Sequence, residues 1–292
     1  MAFADAGRPP FLPFVTADAT RPPTNMAAEG GLPAMELCQT WTADGVQLSG
    51  IVHAPEGEGR LDLGVVLIHG FSSRFYSQVV LGLAGGLARR GALVVAGNNR
   101  GHDIGALLRR REGGPLLAGA AWERLEEAPF DIAAWIEVAA AHGCQKVALV
   151  GHSLGAAKAA LYCAERQDPR VAALAMCSPP RQQGAIRSVD DAMAGEAIAS
   201  LAPYPVSAQT VRSRQALGDR LQPLELLARI GVPVMALYGE RELGPDADAV
   251  LDRFTGYGAD TAYIPGADHN YTGQEDEVAG ALAGWLYGVA MA

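Results

Sequence analysis

Lysine is nearly absent from this chain. Of its 23 basic residues only Lys146 and Lys158 are lysine, and arginine supplies the rest. With abundant alanine and glycine, that bias points to a GC-rich bacterial genome and says nothing of activity. Positive charge is also in deficit, with a formal net charge of −9. A nucleic-acid partner is therefore not expected, because phosphate binding wants a basic face. Long apolar runs are missing too. No window approaches the roughly 18 apolar residues of a membrane span. The opening residues lack the basic stretch and apolar core of a secretory leader. Cysteine is sparse: Cys38, Cys144, Cys163 and Cys177 are widely spaced, with no C-x-x-C pair. Free thiols are expected, as suits a reducing cytoplasm. No metal or organic cofactor is implied.

What remains is ordinary globular material. The 292 residues, 49% hydrophobic, suffice for one large domain or two small ones. Residues 1–35 stand apart. Pro9, Pro10, Pro13, Pro22, Pro23 and Pro33 break any regular element, so an arm lying on the surface is expected.

Periodicity then reads as alternating strands and helices. Glu36–Thr42 and Val46–His53 form a hairpin pair across Ala43-Asp44-Gly45. Apolar strands are expected at Leu63–Ile68, Ala92–Ala96, Lys146–Val150, Val171–Cys177, Val232–Tyr238 and Thr261–Ile264. Helical spacing marks Phe75–Arg90, Pro129–His142, Leu154–Arg166, Asp246–Phe254 and Gln274–Tyr287. Short apolar strands alternating with helices imply a mostly parallel sheet of about eight strands, covered on both faces, with an antiparallel N-terminal hairpin. About 50 residues separate Cys177 from Val232, where a simple crossover needs far fewer. Val189–Ala202 and Ala208–Leu221 look helical there. The expected organisation is an arm at 1–35, a core at 36–178 and 223–292, and a helical cap at 179–222, inserted after the sixth strand.

Within the core, Gly151-His152-Ser153-Leu154-Gly155 follows the apolar run Val147–Val150 directly. Random order of 35 glycines and ten serines gives a Gly-x-Ser-x-Gly in about one such chain in seven, so the context carries the weight. A buried strand precedes the motif and a strong helix former, Leu154–Arg166, follows it. Ser153 is thereby presented on a tight turn above a helix N-terminus. A serine hydroxyl needs a base, and the base needs a carboxylate to orient it. His269 is the one histidine downstream, in a loop between the last strand and the last helix. Glu242 follows the strand beginning at Val232, and Asp246 and Asp248 are the alternative acids. The backbone N–H groups of Leu154 and Phe71 are expected to form an oxyanion hole. His69 is expected to be structural, and the Arg100-Gly101 turn likewise. Ser72, His102 and His152 are candidate pocket residues.

His69-Gly70-Phe71, Gly151–Gly155, Gly239-Glu240-Arg241-Glu242 and Asp268-His269, in that order, resemble the α/β-hydrolase superfamily over roughly residues 36–290. The resemblance implies the α/β-hydrolase fold and a Ser-His-acid triad. Two places depart from the family pattern: Glu242 stands where aspartate is usual, and Asn98-Asn99 replaces an acidic residue ahead of Arg100-Gly101. The expected activity is hydrolysis of a small-molecule carboxylic ester or thioester through an acyl-enzyme. Carbon–carbon bond hydrolysis or acyl transfer is the alternative, and a non-catalytic ligand-binding receptor on the same scaffold a third reading. A homodimer is compatible with the sequence. The cap mixes Met193, Ile198, Leu201, Tyr204 and Val206 with Arg181, Arg187, Arg212, Arg214 and Arg220. An apolar pocket with a basic rim suits medium acyl chains or an anionic substrate. Solvated arginines are the simpler expectation.

Overall fold

A computed structural model describes residues 35–57, 60–180, 198–201, 204–217 and 223–291. The N-terminal arm, apart from Met35, lies outside them, as does most of the first half of the insertion.

Eight strands form one sheet. In chain order they are β1 (Met35–Trp41), β2 (Gln47–His53), β3 (Gly64–Ile68), β4 (Val94–Gly97), β7 (Val147–His152), β8 (Val171–Cys177), β11 (Val234–Gly239) and β12 (Asp260–Ile264). Their spatial order is β1-β2-β4-β3-β7-β8-β11-β12. β1 pairs antiparallel with β2, and β2 with β4. All the other pairs are parallel, with Val66 opposite Leu149, Leu149 opposite Leu174 and Leu174 opposite Val234. The central strands β3 and β7 are buried at every residue. Continuous apolar runs are what a strand covered on both faces requires.

Helices supply that cover. α1 (Gln78–Ala88) and α8 (Glu275–Met291) pack together on one face, with Leu83, Leu87, Val278 and Leu282 in the core. α2 (Ala128–Ala141) and α3 (Leu154–Arg166) lie on the other, with Ile132, Trp135, Ile136 and Leu161 fully buried. α5 (Pro223–Leu227) packs on α3, α6 (Glu240–Leu243) follows β11, and α7 (Ala247–Thr255) packs on β12. Among the described residues, no helix is long and apolar enough to cross a membrane. The four cysteines are free.

Two departures from the sequence reading stand out. The segment expected to be helical at Val189–Ala202 contains a strand, β9 (Ile198–Leu201), paired antiparallel with β10 (Tyr204–Ser207); residues 189–197 lie outside the described set. Alanine-rich propensity is a weak prior, and backbone pairing with β10 overrides it over residues 198–201. The second helix of the insertion is present as α4 (Ala208–Leu217). A further hairpin, β5 (Ala106–Leu108) and β6 (Leu116–Ala118), was not expected. Its three-residue strands are too short to show alternation.

Among the described residues, Tyr238 Oη donates to the Pro179 carbonyl at 3.0 Å, and a second set of bonds ties the insertion to residues 121–125. The Ser207 N–H donates to the Ala121 carbonyl at 2.6 Å, and Thr210 Oγ1 donates to the same oxygen at 2.9 Å. Gln209 reaches the Trp122 carbonyl, and the Leu125 N–H reaches Ser213 Oγ at 2.8 Å. These bonds hold α4 over the carboxyl ends of the strands, where open α/β sheets bind ligands.

Candidate active site

Ser153 occupies the turn between β7 and α3 with φ 54° and ψ −125°. A non-glycine residue held there costs on the order of 1–3 kcal/mol and persists only where its surroundings demand it. The surroundings do so by backbone crowding. A Cβ on Gly155 would lie 2.2 Å from the Ile68 carbonyl oxygen, and one on Gly151 would lie 2.4 Å from that of Gly155. Only glycine lets α3 start this close to β3 and β7. The Ser153 N–H donates to the Cys177 carbonyl at 2.8 Å, fixing the turn to β8.

Three segments remote in sequence meet at this turn. His269 Nε2 lies 3.0 Å from Ser153 Oγ. His269 Nδ1 lies 2.7 Å from Glu242 Oε2. The second Glu242 oxygen accepts the Gly239 N–H at 2.8 Å and the Ser178 hydroxyl. Burial alone would raise the Glu242 carboxyl. The bonds from His269, Ser178 and Gly239 outweigh it and hold the group below the usual glutamate range. Asp246 and Asp248 lie further along, in the turn before α7 and in its first turn. Nδ1 of His269 is taken by Glu242, and neither aspartate reaches it.

Ser178 and Tyr271 were not anticipated from sequence. Ser178 is buried at the end of β8, with φ 47°. Its Oγ lies 2.7 Å from the Tyr271 hydroxyl, which in turn is 3.1 Å from the Leu237 carbonyl oxygen. The available signal was position alone: Ser178 directly follows an apolar strand whose neighbour carries the elbow. Burial drives the Tyr271 hydroxyl well above its ordinary range, so it stays neutral.

His152 sits beside Ser153 but faces His269. Its Nε2 donates to the His269 carbonyl at 2.8 Å, and the two rings stand 5.2 Å apart. Burial lowers its pKa to about 4, which keeps it a neutral donor. Ser72 takes φ 52° on the turn after Phe71, and His102 pairs with Asp103 at 2.8 Å. Both lie in the loops beside the elbow, and His102 is engaged by its neighbour.

The Phe71 loop is fixed from below. His69 is fully buried; its Nδ1 donates to the Gly70 carbonyl at 2.9 Å and its Nε2 accepts the Asn99 N–H at 2.8 Å. Burial and the nearby Lys158 lower its pKa to about 3. A Cβ on Gly70 would lie 2.9 Å from Ser153 Cβ and 3.4 Å from Ser153 Oγ. The Phe71 backbone therefore runs directly past Ser153. Leu154 begins α3, and its N–H is one of the first-turn donors that a helix leaves without an intrahelical partner. The Asn98-Asn99-Arg100-Gly101 turn is held by Arg100, whose guanidinium pairs with Asp131, Asp44 and Glu127 at 2.8–3.0 Å.

Comparison with known proteins agrees with this architecture. A search of curated protein sequences finds no match. The chain is similar in structure to Est1E from Butyrivibrio proteoclasticus, at TM-score 0.64 and 17% identity over 87% of this chain and 98% of that one. It is also similar to the esterase domain of a Rhodothermus marinus protein, at TM-score 0.58 and 17% identity over 87% and 98%. The thioesterase domain from the curacin biosynthetic pathway gives TM-score 0.53 and 21% identity over 87% and 99%. At such identities the likeness is one of fold. A family model described as the alpha/beta hydrolase fold matches residues 65–265, well over half of the sequence. The chain belongs to the alpha/beta hydrolase fold family.

Proposed function

We propose that the protein is a serine hydrolase that cleaves a small-molecule carboxylic ester or thioester through an acyl-enzyme. The observation that carries this is the unbroken run of contacts from Glu242 through His269 to Ser153, at 2.7 and 3.0 Å. Ser153 Oγ attacks the carbonyl carbon while His269 Nε2 accepts its proton. Glu242 holds the imidazole with Nε2 free to accept, and stabilises the imidazolium that forms. Charge on the carbonyl oxygen is met by the N–H groups of Leu154 and Phe71. The tetrahedral intermediate collapses, and His269 returns the proton to the departing alcohol or thiol. Water then attacks the acyl-enzyme by the same route, releasing the acid and restoring Ser153. Ser178 and Tyr271 act at one remove, by positioning Glu242. Within the insertion, α4 shapes the substrate pocket through its contact with the Phe71 ring.

Labelling with a fluorophosphonate tests the proposal. Wild-type protein is expected to be modified at Ser153, and Ser153→Ala and His269→Ala not to be. Equal labelling of Ser153→Ala overturns it.

A further inference from the structure

Arg214 lies on α4, within the insertion. Sequence alone leaves it among cap arginines that either rim a pocket or are solvated, the latter being the simpler expectation. The structure buries it to 7% exposure. Its guanidinium carbon stands 5.3 Å from the centroid of the Phe71 ring. Phe71 follows Gly70, which abuts Ser153. The guanidinium is therefore one aromatic ring away from the reacting centre.

Two of its nitrogens, Nε and Nη2, are buried with no hydrogen-bond partner among the described residues. Those two N–H groups are parallel and form one edge of the guanidinium plane, the edge that takes a carboxylate side-on. The chain itself shows what fills such an edge. Arg100 directs Nε and Nη2 at Asp131, at 2.9 and 2.8 Å. Arg170 directs the same pair at Asp168, at 3.0 and 2.8 Å. Arg214 presents the same edge with no hydrogen-bond partner on it among the described residues.

Local charge points the same way. Glu123 is the buried carboxylate nearest in influence, and it acts on Arg214 only through space. Its Oε1 is bound by the buried Lys158 ammonium, and its Oε2 is buried with no hydrogen-bond partner among the described residues, so Glu123 does not close onto Arg214. Among these three groups two cations share one anion. An unpaired buried guanidinium stays protonated, because arginine is not neutralised in proteins. Its burial is therefore costly until an anion arrives.

We propose that the Nε/Nη2 edge of Arg214 binds a carboxylate of the substrate, making the preferred substrate an ester or thioester that carries a second, anionic group. This rests on the hydrolase reading for the bond cleaved. It adds the chemical class of what is cleaved.

The test compares matched esters. p-Nitrophenyl hemiglutarate is set against the p-nitrophenyl ester of monomethyl glutarate, which places the carboxylate on the acyl side. 4-Carboxyphenyl butyrate is set against phenyl butyrate, which places it on the leaving group. Wild-type protein is expected to favour the anionic member of one pair in kcat/KM. Arg214→Gln is expected to cut that preference by about 10- to 100-fold, the range for losing a bidentate charge-assisted contact, and Arg214→Lys to keep part of it. A wild type with no preference in either pair overturns the proposal, as does a preference that survives in Arg214→Gln.

Glutarate alone supplies a second readout that needs no turnover. It should raise the melting temperature of wild type, that of Arg214→Lys by less, and that of Arg214→Gln not at all. Protein that is labelled at Ser153 and hydrolyses the neutral esters without these effects keeps the hydrolase function and loses the anion site. Protein that hydrolyses none of the esters, yet is stabilised by glutarate through Arg214, keeps the anion site and loses the hydrolase function.

Discussion

Adding one methyl group at Gly70 should separate catalysis from stability. An alanine Cβ there meets Ser153 Cβ at 2.9 Å, the His152 carbonyl oxygen at 3.1 Å and Ser153 Oγ at 3.4 Å. Relief requires a shift of about 0.5 Å between the Phe71 loop and the nucleophile, the tolerance within which catalytic groups must be held. Displacement on that scale, at the proposed oxyanion donor, should lower kcat by about 10- to 100-fold, or about 1.4–2.8 kcal/mol of barrier. The loop can yield, so unfolding free energy should fall by no more than about 1 kcal/mol, or roughly 2–4 °C in Tm. Gly155→Ala is the contrast. Its Cβ would meet the Ile68 and His69 carbonyl oxygens at 2.2 and 2.7 Å, and both belong to a central strand or its immediate end. That variant should lose about 3 kcal/mol or more, or fail to fold. Steady-state kinetics on p-nitrophenyl butyrate and melting followed by circular dichroism read both quantities. A Gly70→Ala enzyme with wild-type kcat would refute the reasoning. So would one destabilised as much as Gly155→Ala.

Other expectations follow from the same contacts. Glu242→Gln should lower kcat by about 10²–10⁴-fold, whereas Asp246→Asn and Asp248→Asn should stay within about threefold; steady-state rates decide between them. Because the Glu242 carboxyl is held low, its contribution to stability is complete above the ordinary glutamate range and is lost as pH falls through the depressed value. Glu242→Gln should flatten that acid limb in denaturant melts. His152 and His69 remain neutral in the native state while the unfolded chain protonates below about 6.5, so each should cost about 2 kcal/mol of stability by pH 5. Urea unfolding at pH 7 and pH 5 checks this, and a His152→Gln variant should lose less between the two. Ser178→Ala should lower kcat several-fold by loosening Glu242, leaving the KM of p-nitrophenyl butyrate nearly unchanged.

Much of the fold was written in local pattern. Val147 to Val150 is apolar without interruption and Leu154–Arg166 is rich in alanine, so the strand, the turn and the helix could be read in order. Which strand lies beside which could not be read. The order β2-β4-β3-β7 depends on how helices cover the sheet, and no short window records that. Ser153, His269 and Glu242, which the structure brings into contact, could be nominated because each follows a strand end, a positional rule. Ser178 obeys the same rule but lacked a partner that sequence could name. Arg214 was misjudged for a different reason. Burial of a charged side chain is decided by the packing of α4 against residues 121–126, and nothing in Val211-Arg212-Ser213-Arg214 distinguishes its two arginines. The expectation of a helix across Val189–Ala202 relied on propensity, which the β9–β10 pairing outweighed at its described end.

The bond from His152 to the His269 carbonyl has a consequence for timing. It clips the loop bearing the proposed base to the residue just ahead of the nucleophile, through a donor that stays uncharged down to about pH 4. His269 and the Ser153 turn are thus joined twice, once through the 3.0 Å contact that the proposed chemistry would use and once through a contact that it would leave intact. When Ser153 is acylated and the first contact is lost, the second still holds His269 in place to receive water. Under the proposed mechanism the site needs no reassembly between its two half-reactions.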